Sequence, residues 1–223
     1  MTKPGCIIFD CDGVLVDSEV IGVKVLLDMA SEYGVTMDLQ EAVEEFSGIR
    51  LREGIKMLQQ KAKSPFPDDF ELAFRKRSYE VFKTEMRPVK GIREILDSLT
   101  MPFCVASSGP VEKMILNLTI TGLLPYFEEG NRIFSGYQIN SWKPDPGIFL
   151  HAAKMMGFSP ADCVVIEDSK AGVIAAQRGG FKAYGYAKPF NGDELKKEGA
   201  TVFYDMKELT NLLSLSSTAV QHP

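Results

Sequence analysis

The 223-residue chain lacks several features that would each have pointed to a function class. No apolar run approaches the roughly 18 residues of a bilayer-spanning helix, so membrane insertion is not expected. Positive charge is not in excess: 25 Lys and Arg stand against 30 Asp and Glu, and a formal net charge of -5 gives no electrostatic footprint for nucleic acid or an anionic membrane surface. The four cysteines show no metal-ligand spacing. Cys6, Cys104 and Cys163 each sit in an apolar, strand-like run and read as buried thiols rather than disulfide partners. Repeats and low-complexity tracts are missing too. The opening Met1-Thr2-Lys3-Pro4 runs straight into a strand pattern rather than a signal peptide, so a cytoplasmic protein is expected.

What is present is an ordinary soluble composition, 45% hydrophobic and 25% charged, enough for a sizeable core or a core plus a small second domain. Its most informative stretch is Cys6-Ile7-Ile8-Phe9-Asp10-Cys11-Asp12-Gly13, an apolar run that ends in two carboxylates one residue apart. A strand ending this way places two acids at the mouth of a sheet, where open α/β folds put their ligands. Two carboxylates so close repel unless a cation holds them, and a hard cation such as Mg²⁺, which takes oxygen ligands and shares its shell with substrate phosphate, is the expected partner. Alone, Asp-x-Asp-Gly also fits a solvated turn. A calcium EF-hand does not fit, because Gly13 comes one ligand too early and Val14-Leu15-Val16 follows.

Behind this strand the pattern turns helical. Ser18 is placed to cap a helix carrying Val20, Ile21, Val23, Leu26, Leu27 and Ala30, and helical stretches follow over Leu39 to Phe46, Leu51 to Lys61 and Asp68 to Met86. An all-helical insert of this kind reads as a separate cap or lid domain, residues 17–87, with the core formed by 1–16 and 88–223. From Arg87-Pro88 onward strands and helices alternate: Phe103 to Ser107, Arg132 to Phe134, Cys163 to Ile166, Phe181 to Tyr186 and Thr201 to Phe203 as strands; Val111 to Ile120, Gly147 to Met156, Ala171 to Arg178 and Glu194 to Lys197 as helices. Alternation predicts an α/β fold, a Rossmann-like parallel sheet with helices on both faces. Ser214 to Pro223 reads as a frayed tail.

Three more strand ends carry polar residues suited to phosphate. Ser107-Ser108-Gly109 offers hydroxyls and backbone N–H groups at a helix start, although a pair of serines there also reads as a plain N-cap. Ser141-Trp142-Lys143-Pro144-Asp145-Pro146 holds a lysine in a proline-fixed segment; Lys143 is a compact point charge suited to phosphate and carboxylate, and Trp142 reads as a packing residue. Cys163-Val164-Val165-Ile166 runs into Glu167-Asp168-Ser169, a second carboxylate pair before a helix, where the helix dipole alone favours acids. Each has a bland explanation. Together, at the carboxyl ends of strands in one sheet, they supply a nucleophile, an anion donor, a cation and metal ligands.

With these four segments in order, Ile7 to Ser18, Val105-Ala106-Ser107-Ser108, Trp142 to Pro146 and Val165 to Ser169, the chain resembles the haloacid dehalogenase superfamily, in its β-phosphoglucomutase-like branch with a helical cap after the first strand. The resemblance covers nearly the whole chain. It implies a phosphatase in which Asp10 is the nucleophile, Asp12 the general acid and base, Ser107 and Lys143 the phosphate grip, and Asp10, Asp12, Asp168 and Glu167 the Mg²⁺ site. Dehalogenases of the family lack the second aspartate and phosphonatases replace it with alanine, so Asp12 argues against both. A β-phosphoglucomutase carries a cap histidine at the position of Gly22, whereas the histidines here are His151 and His222; an isomerase stays the alternative, and a non-catalytic binding protein a remoter one. Ile133 to Ile139, Trp142 to Pro146 and His151 to Lys154, with Val105 to Pro110, resemble bacterial 6-phosphogluconate phosphatases. Ser108, Gly48 and Arg50 are the further substrate-binding candidates, Arg50 through a guanidinium offered to a substrate carboxylate. The partner expected is a small phosphorylated metabolite; the oligomeric state stays open, with a monomer slightly favoured.

Overall fold

The computed structural model describes residues 3–46, 49 and 51–213. Ser214 to Pro223, read from the sequence as a tail, lie outside the described residues, as do Gly48 and Arg50. The chain divides into two compact units, one formed by Met1–Val16 with Pro88–Pro223 and the other by Asp17–Arg87.

The smaller unit is helical: α1 (Glu19–Ser31), α2 (Leu39–Phe46), α3 (Leu51–Lys61) and α4 (Phe70–Glu85). It has its own core, built from Val23, Leu26, Met29 and Ala30 of α1, Ala42, Val43 and Phe46 of α2, Leu58 of α3 and Phe70 of α4. Phe66 stacks on Phe70 at 4.1 Å between centroids, and Tyr33 meets both edge-on. Ser18 sits at the N-cap position of α1 with a helical backbone, and its side chain makes no capping bond.

The larger unit carries six parallel strands, β1 (Cys6–Phe9), β2 (Phe103–Ser107), β3 (Ile133–Ser135), β4 (Cys163–Glu167), β5 (Lys182–Tyr186) and β6 (Thr201–Phe203), in the order β3-β2-β1-β4-β5-β6. Its helices are α5 (Ile92–Ser98), α6 (Val111–Ile120), α7 (Pro125–Glu128), α8 (Gly136–Ile139), α9 (Gly147–Met156), α10 (Lys170–Arg178), α11 (Gly192–Lys197) and α12 (Glu208–Leu212). This is the Rossmann-like arrangement expected, and β1 lies at its centre. Ile7 pairs with both Phe103 and Val164, and every residue of β1, β2 and β4 is buried, as near-continuous apolar runs in a two-sided sheet require. Because the chain builds outward from β1 on one side and then restarts at β4 on the other, the strand order reverses between β1 and β4. The crevice at that switch point is where such sheets bind ligands.

Four short helices, α5, α7, α8 and α12, have no counterpart among the sequence expectations; at four to seven residues they give no usable apolar period. The four cysteines are buried free thiols. Among the described residues no helix is long and apolar enough to cross a membrane.

Phe149 of α9 is fully buried, meets Phe181 edge-on at 6.2 Å, and lies with its ring face 4.9 Å from the Lys143 ammonium. Phe149→Ala should therefore cost ~3–5 kcal/mol in urea unfolding, the usual range for emptying a buried aromatic site. A loss below about 1 kcal/mol would show that the site closes up around the void.

Candidate active site

The site follows from what happens where β1, β2 and β4 stop. Asp10 continues β1 by one residue, its N–H donating to the carbonyl of Ile166 at 2.9 Å, so its carboxylate emerges at the carboxyl end of the sheet. The chain then turns sharply. Leu15 and Val16 donate to the Cys11 carbonyl, and Gly13 adopts φ +82°, in the left-handed region that glycine alone enters without penalty. A side chain at Gly13 would also overlap the Asp168 carboxylate, so glycine is needed there twice over.

At the end of β4, Glu167 is wholly buried and every oxygen has work. Its Oε2 accepts from the N–H groups of Asp168 and Ser169, at 3.0 and 2.9 Å, and from Ser169 Oγ at 2.9 Å, while Oε1 faces Lys143 Nζ. Gly172, in the first turn of α10, leaves room for that carboxylate; a Cβ there would strike it. Asp168 is anchored through its backbone, its carbonyl accepting from Asn191 Nδ2 at 3.0 Å, and its Oδ2 lies 4.0 Å from Lys188 Nζ.

Lys143 reaches the same place from the loop after α8. Its ammonium pairs with both Asp10 and Glu167. The loop is fixed on both sides: the Lys143 N–H donates to Ser108 Oγ at 3.3 Å, Ser141 donates to the Gly136 carbonyl, and the Asp145 carboxylate accepts from Ser141 Oγ and the Gly147 N–H. The Lys143-Pro144 peptide is cis. Ser135, absent from the sequence expectation for its strand, closes β3 and caps α8, and its hydroxyl donates to the Gly109 carbonyl at 2.6 Å, which ties this loop to the one after β2.

Ser107 and Ser108 do not cap α6; Pro110 holds that position. Ser107 Oγ accepts from the Gly109 N–H at 3.1 Å, an arrangement that leaves the β2 loop curled around a buried hydroxyl. Trp142, expected to be packed, is 38% exposed with its ring edge against Tyr137.

The electrostatics follow from burial. Asp10 is pushed up to about 7, first because burial disfavours its charge and then because Glu167 and Asp12 repel it, with Lys143 pulling the other way. For Lys143 burial works against the ammonium, but Asp10 and Glu167 outweigh it and the net shift is upward, so Lys143 stays charged. Three carboxylates, Asp10, Glu167 and Asp168, offer oxygens that all lie within 4.8 Å of one another, all buried. Two ammonium groups face them, Lys143 at Asp10 and Glu167 and Lys188 at 4.0 Å from Asp168. Hard oxygen donors at this spacing fit a divalent cation. Asp12 stands outside this trio: its side chain turns to α6, where Lys113 Nζ lies 2.7 Å from Oδ2 and Asn117 Nδ2 lies 3.2 Å from Oδ1. Neither α6 residue was singled out from the sequence, and no local pattern could have done so, since the contacts span 101 and 105 positions. The remaining candidates, Gly48 and Arg50, fall outside the described residues; their neighbour Arg52 pairs with Glu71 at 2.8 Å.

A buried acid, a fixed lysine and a close carboxylate pair thus stand together at the switch point of a Rossmann-like sheet. The profile described as haloacid dehalogenase-like hydrolase matches residues 7–186, and the chain belongs to that family. It is 32% identical over 213 residues to 6-phosphogluconate phosphatase of Escherichia coli K12, covering 95% of this chain and 96% of that one. It is likewise 32% identical over 218 residues to a phosphorylated carbohydrates phosphatase of Thermotoga maritima, covering 93% and 97%. A haloacid dehalogenase-like protein of unknown function from Agrobacterium tumefaciens superposes with a TM-score of 0.86 at 32% identity, covering 94% and 97%.

Gly13→Ala should reduce turnover by roughly tenfold or more, because the new methyl forces Asp168 to move and meets an unfavourable backbone. Steady-state assays beside a circular dichroism spectrum would check it. Wild-type activity in a folded Gly13→Ala protein would mean that Asp168 has no fixed position to lose.

Proposed function

We propose that the protein is a Mg²⁺-dependent phosphatase that hydrolyses a small sugar or sugar-acid phosphate through an aspartyl-phosphate intermediate, with 6-phosphogluconate the leading candidate. The observation that carries the chemistry is the shared burial of Asp10, Lys143, Glu167 and Asp168 at the carboxyl end of the sheet. The 32% identity to a 6-phosphogluconate phosphatase across both full lengths supports the substrate class.

In this reading the Asp10 carboxylate attacks phosphorus in line with the departing ester oxygen, and one hard displacement becomes two easier ones. Asp12 gives its proton to that oxygen as the phosphorus–oxygen bond breaks. It then takes a proton from the water that attacks the aspartyl phosphate and returns Asp10. Ser107 and Lys143 grip the phosphoryl oxygens, with Ser108 holding the Lys143 backbone. Asp10 and Asp168 would hold the Mg²⁺ directly, while Glu167, its oxygens engaged by Lys143, two N–H groups and Ser169, braces them. When bound, the ion supplies positive charge against the transferring phosphoryl group. The helical unit 17–87 is read as a cap domain.

Turnover on phosphate esters should vanish in EDTA and return with added Mg²⁺. Asp10→Asn should fall below about a hundredth of the wild-type rate, since an amide is a poor nucleophile. Full activity in EDTA would sink the metal assignment, and a substantially active Asp10→Asn protein the nucleophile.

Specificity is tested by comparing 6-phosphogluconate with glucose 6-phosphate. The acid should be preferred, and Arg50→Ala should raise KM for it roughly tenfold, as loss of a charge-assisted pair worth ~1.5–3 kcal/mol would do, while leaving the neutral sugar unchanged. An equal loss on both esters would make Arg50 structural; a wild-type preference for the neutral sugar would remove the substrate and leave the phosphatase.

A further inference from the structure

Helix α6 contributes two side chains to the Asp12 carboxylate, and their geometry goes beyond charge balance. Lys113 and Asn117 are four residues apart and so project from one face of the helix. Each takes a different oxygen, Lys113 Nζ at 2.7 Å from Oδ2 and Asn117 Nδ2 at 3.2 Å from Oδ1, so the carboxylate is fixed in orientation as well as in place.

Asn117 makes the stronger case. It is fully buried, on a helix whose other buried residues are Met114 and Leu118, and its Oδ1 has no hydrogen-bond partner. A buried amide with one end unsatisfied costs stability relative to an apolar side chain of the same size. What the amide supplies in return is the hydrogen bond to Asp12.

We propose that Lys113 and Asn117 are positioning residues for proton transfer: they aim the Asp12 carboxyl at the ester oxygen in the first half-reaction and at the attacking water in the second. The inference rests on the assignment of Asp12 as the acid and base. In the first step the Asp10–phosphorus bond forms, the ester bond breaks and the Asp12 proton goes to the leaving oxygen. In the second, the water oxygen bonds phosphorus, its proton goes to Asp12, and the Asp10–phosphorus bond breaks. An alkoxide cannot leave well without the proton, whereas a nitrophenolate can. Misaiming Asp12 should therefore slow both steps for a sugar phosphate and only the second for p-nitrophenyl phosphate.

The test uses Lys113→Met, Lys113→Arg and Asn117→Leu in the full-length protein with saturating Mg²⁺, against Asp12→Asn and wild type. For Lys113→Met and Asn117→Leu, kcat on the sugar phosphate should drop roughly tenfold or more with KM within about twofold. With p-nitrophenyl phosphate, stopped-flow should show one equivalent of nitrophenolate released in a burst before slow turnover. Lys113→Arg should restore most of the rate. Asn117→Leu should melt at or above the wild-type temperature, because it removes the orphaned oxygen, while still showing the burst. Equal losses on the two esters without a burst would overturn the proposal, as would an Asn117→Leu protein whose activity falls only in step with its stability. If Asp12→Asn gives the burst and the α6 variants do not, the α6 proposal alone fails. If Asp12→Asn gives none either, Asp12 is not the proton donor and both readings fall.

Discussion

The Lys143 ammonium, held between Asp10 and Glu167, is the interaction on which the rest of the site depends. Taking one charge out of water costs several kcal/mol even after relaxation, and this cluster buries four. Such a group persists only if nearly every lone pair and proton is satisfied. That requirement explains details otherwise unconnected: two backbone N–H groups and a hydroxyl on Glu167, the missing side chain at Gly172 that lets the carboxylate in, and the Phe149 ring face beneath the lysine. The loop carrying Lys143 is locked to the loop after β2 for the same reason, since a lysine free to swing would abandon two buried carboxylates.

The sheet makes this arrangement possible. Parallel strands all end on one side, so residues far apart in the chain, Asp10, Ser107 and Glu167, are delivered to one rim without any of them choosing a loop conformation of its own. Ile8 is flanked by Cys104 and Val165 in register, which fixes the rim positions to within one residue; a slip would turn the acids toward the opposite face. Helical residues 17–87 enter the chain after Val16 and leave it at Pro88, where Val16 and Pro88 form a short antiparallel bridge, so the insertion leaves the registers of β1 and β2 undisturbed. Its own aromatic cluster of Tyr33, Phe66 and Phe70 belongs to a core of its own.

Most of this was legible in the sequence because its causes are local. Cys6-Ile7-Ile8-Phe9 and Cys163-Val164-Val165-Ile166 are apolar throughout, as strands buried on both faces must be, and the acids after them mark where burial ends. The parts that were not legible have non-local causes. Ser107 and Ser108 read as caps because serines before a helix often are, yet Pro110 takes that position and the hydroxyls turn to Gly109 and Lys143. Trp142 reads as packing because it is large, but the loop points it outward. Lys113 and Asn117 look like one more charged and one more polar residue on an amphipathic helix; only the fold brings them to a residue a hundred positions earlier.

Two carboxylates separated by a single residue thus meet opposite environments. Asp10 is enclosed with Glu167 and Asp168, and its pKa rises; Asp12 is partly open to solvent and held by a lysine and an amide. On the proposed mechanism it is environment rather than residue type that separates the nucleophile from the acid and base. As the proposed nucleophile Asp10 would have to be ionised when phosphate arrives, and burial together with the charge on Glu167 opposes this near neutral pH. Cationic charge in the same cluster is what can reverse it. Lys143 supplies one unit at Asp10 and Glu167, Lys188 lies 4.0 Å from Asp168, and a divalent ion at Asp10 and Asp168 would add to both. On the proposed mechanism, substrate anchoring and nucleophile ionisation would then draw on the same buried charges, tying the reactivity of Asp10 to the filling of its own site.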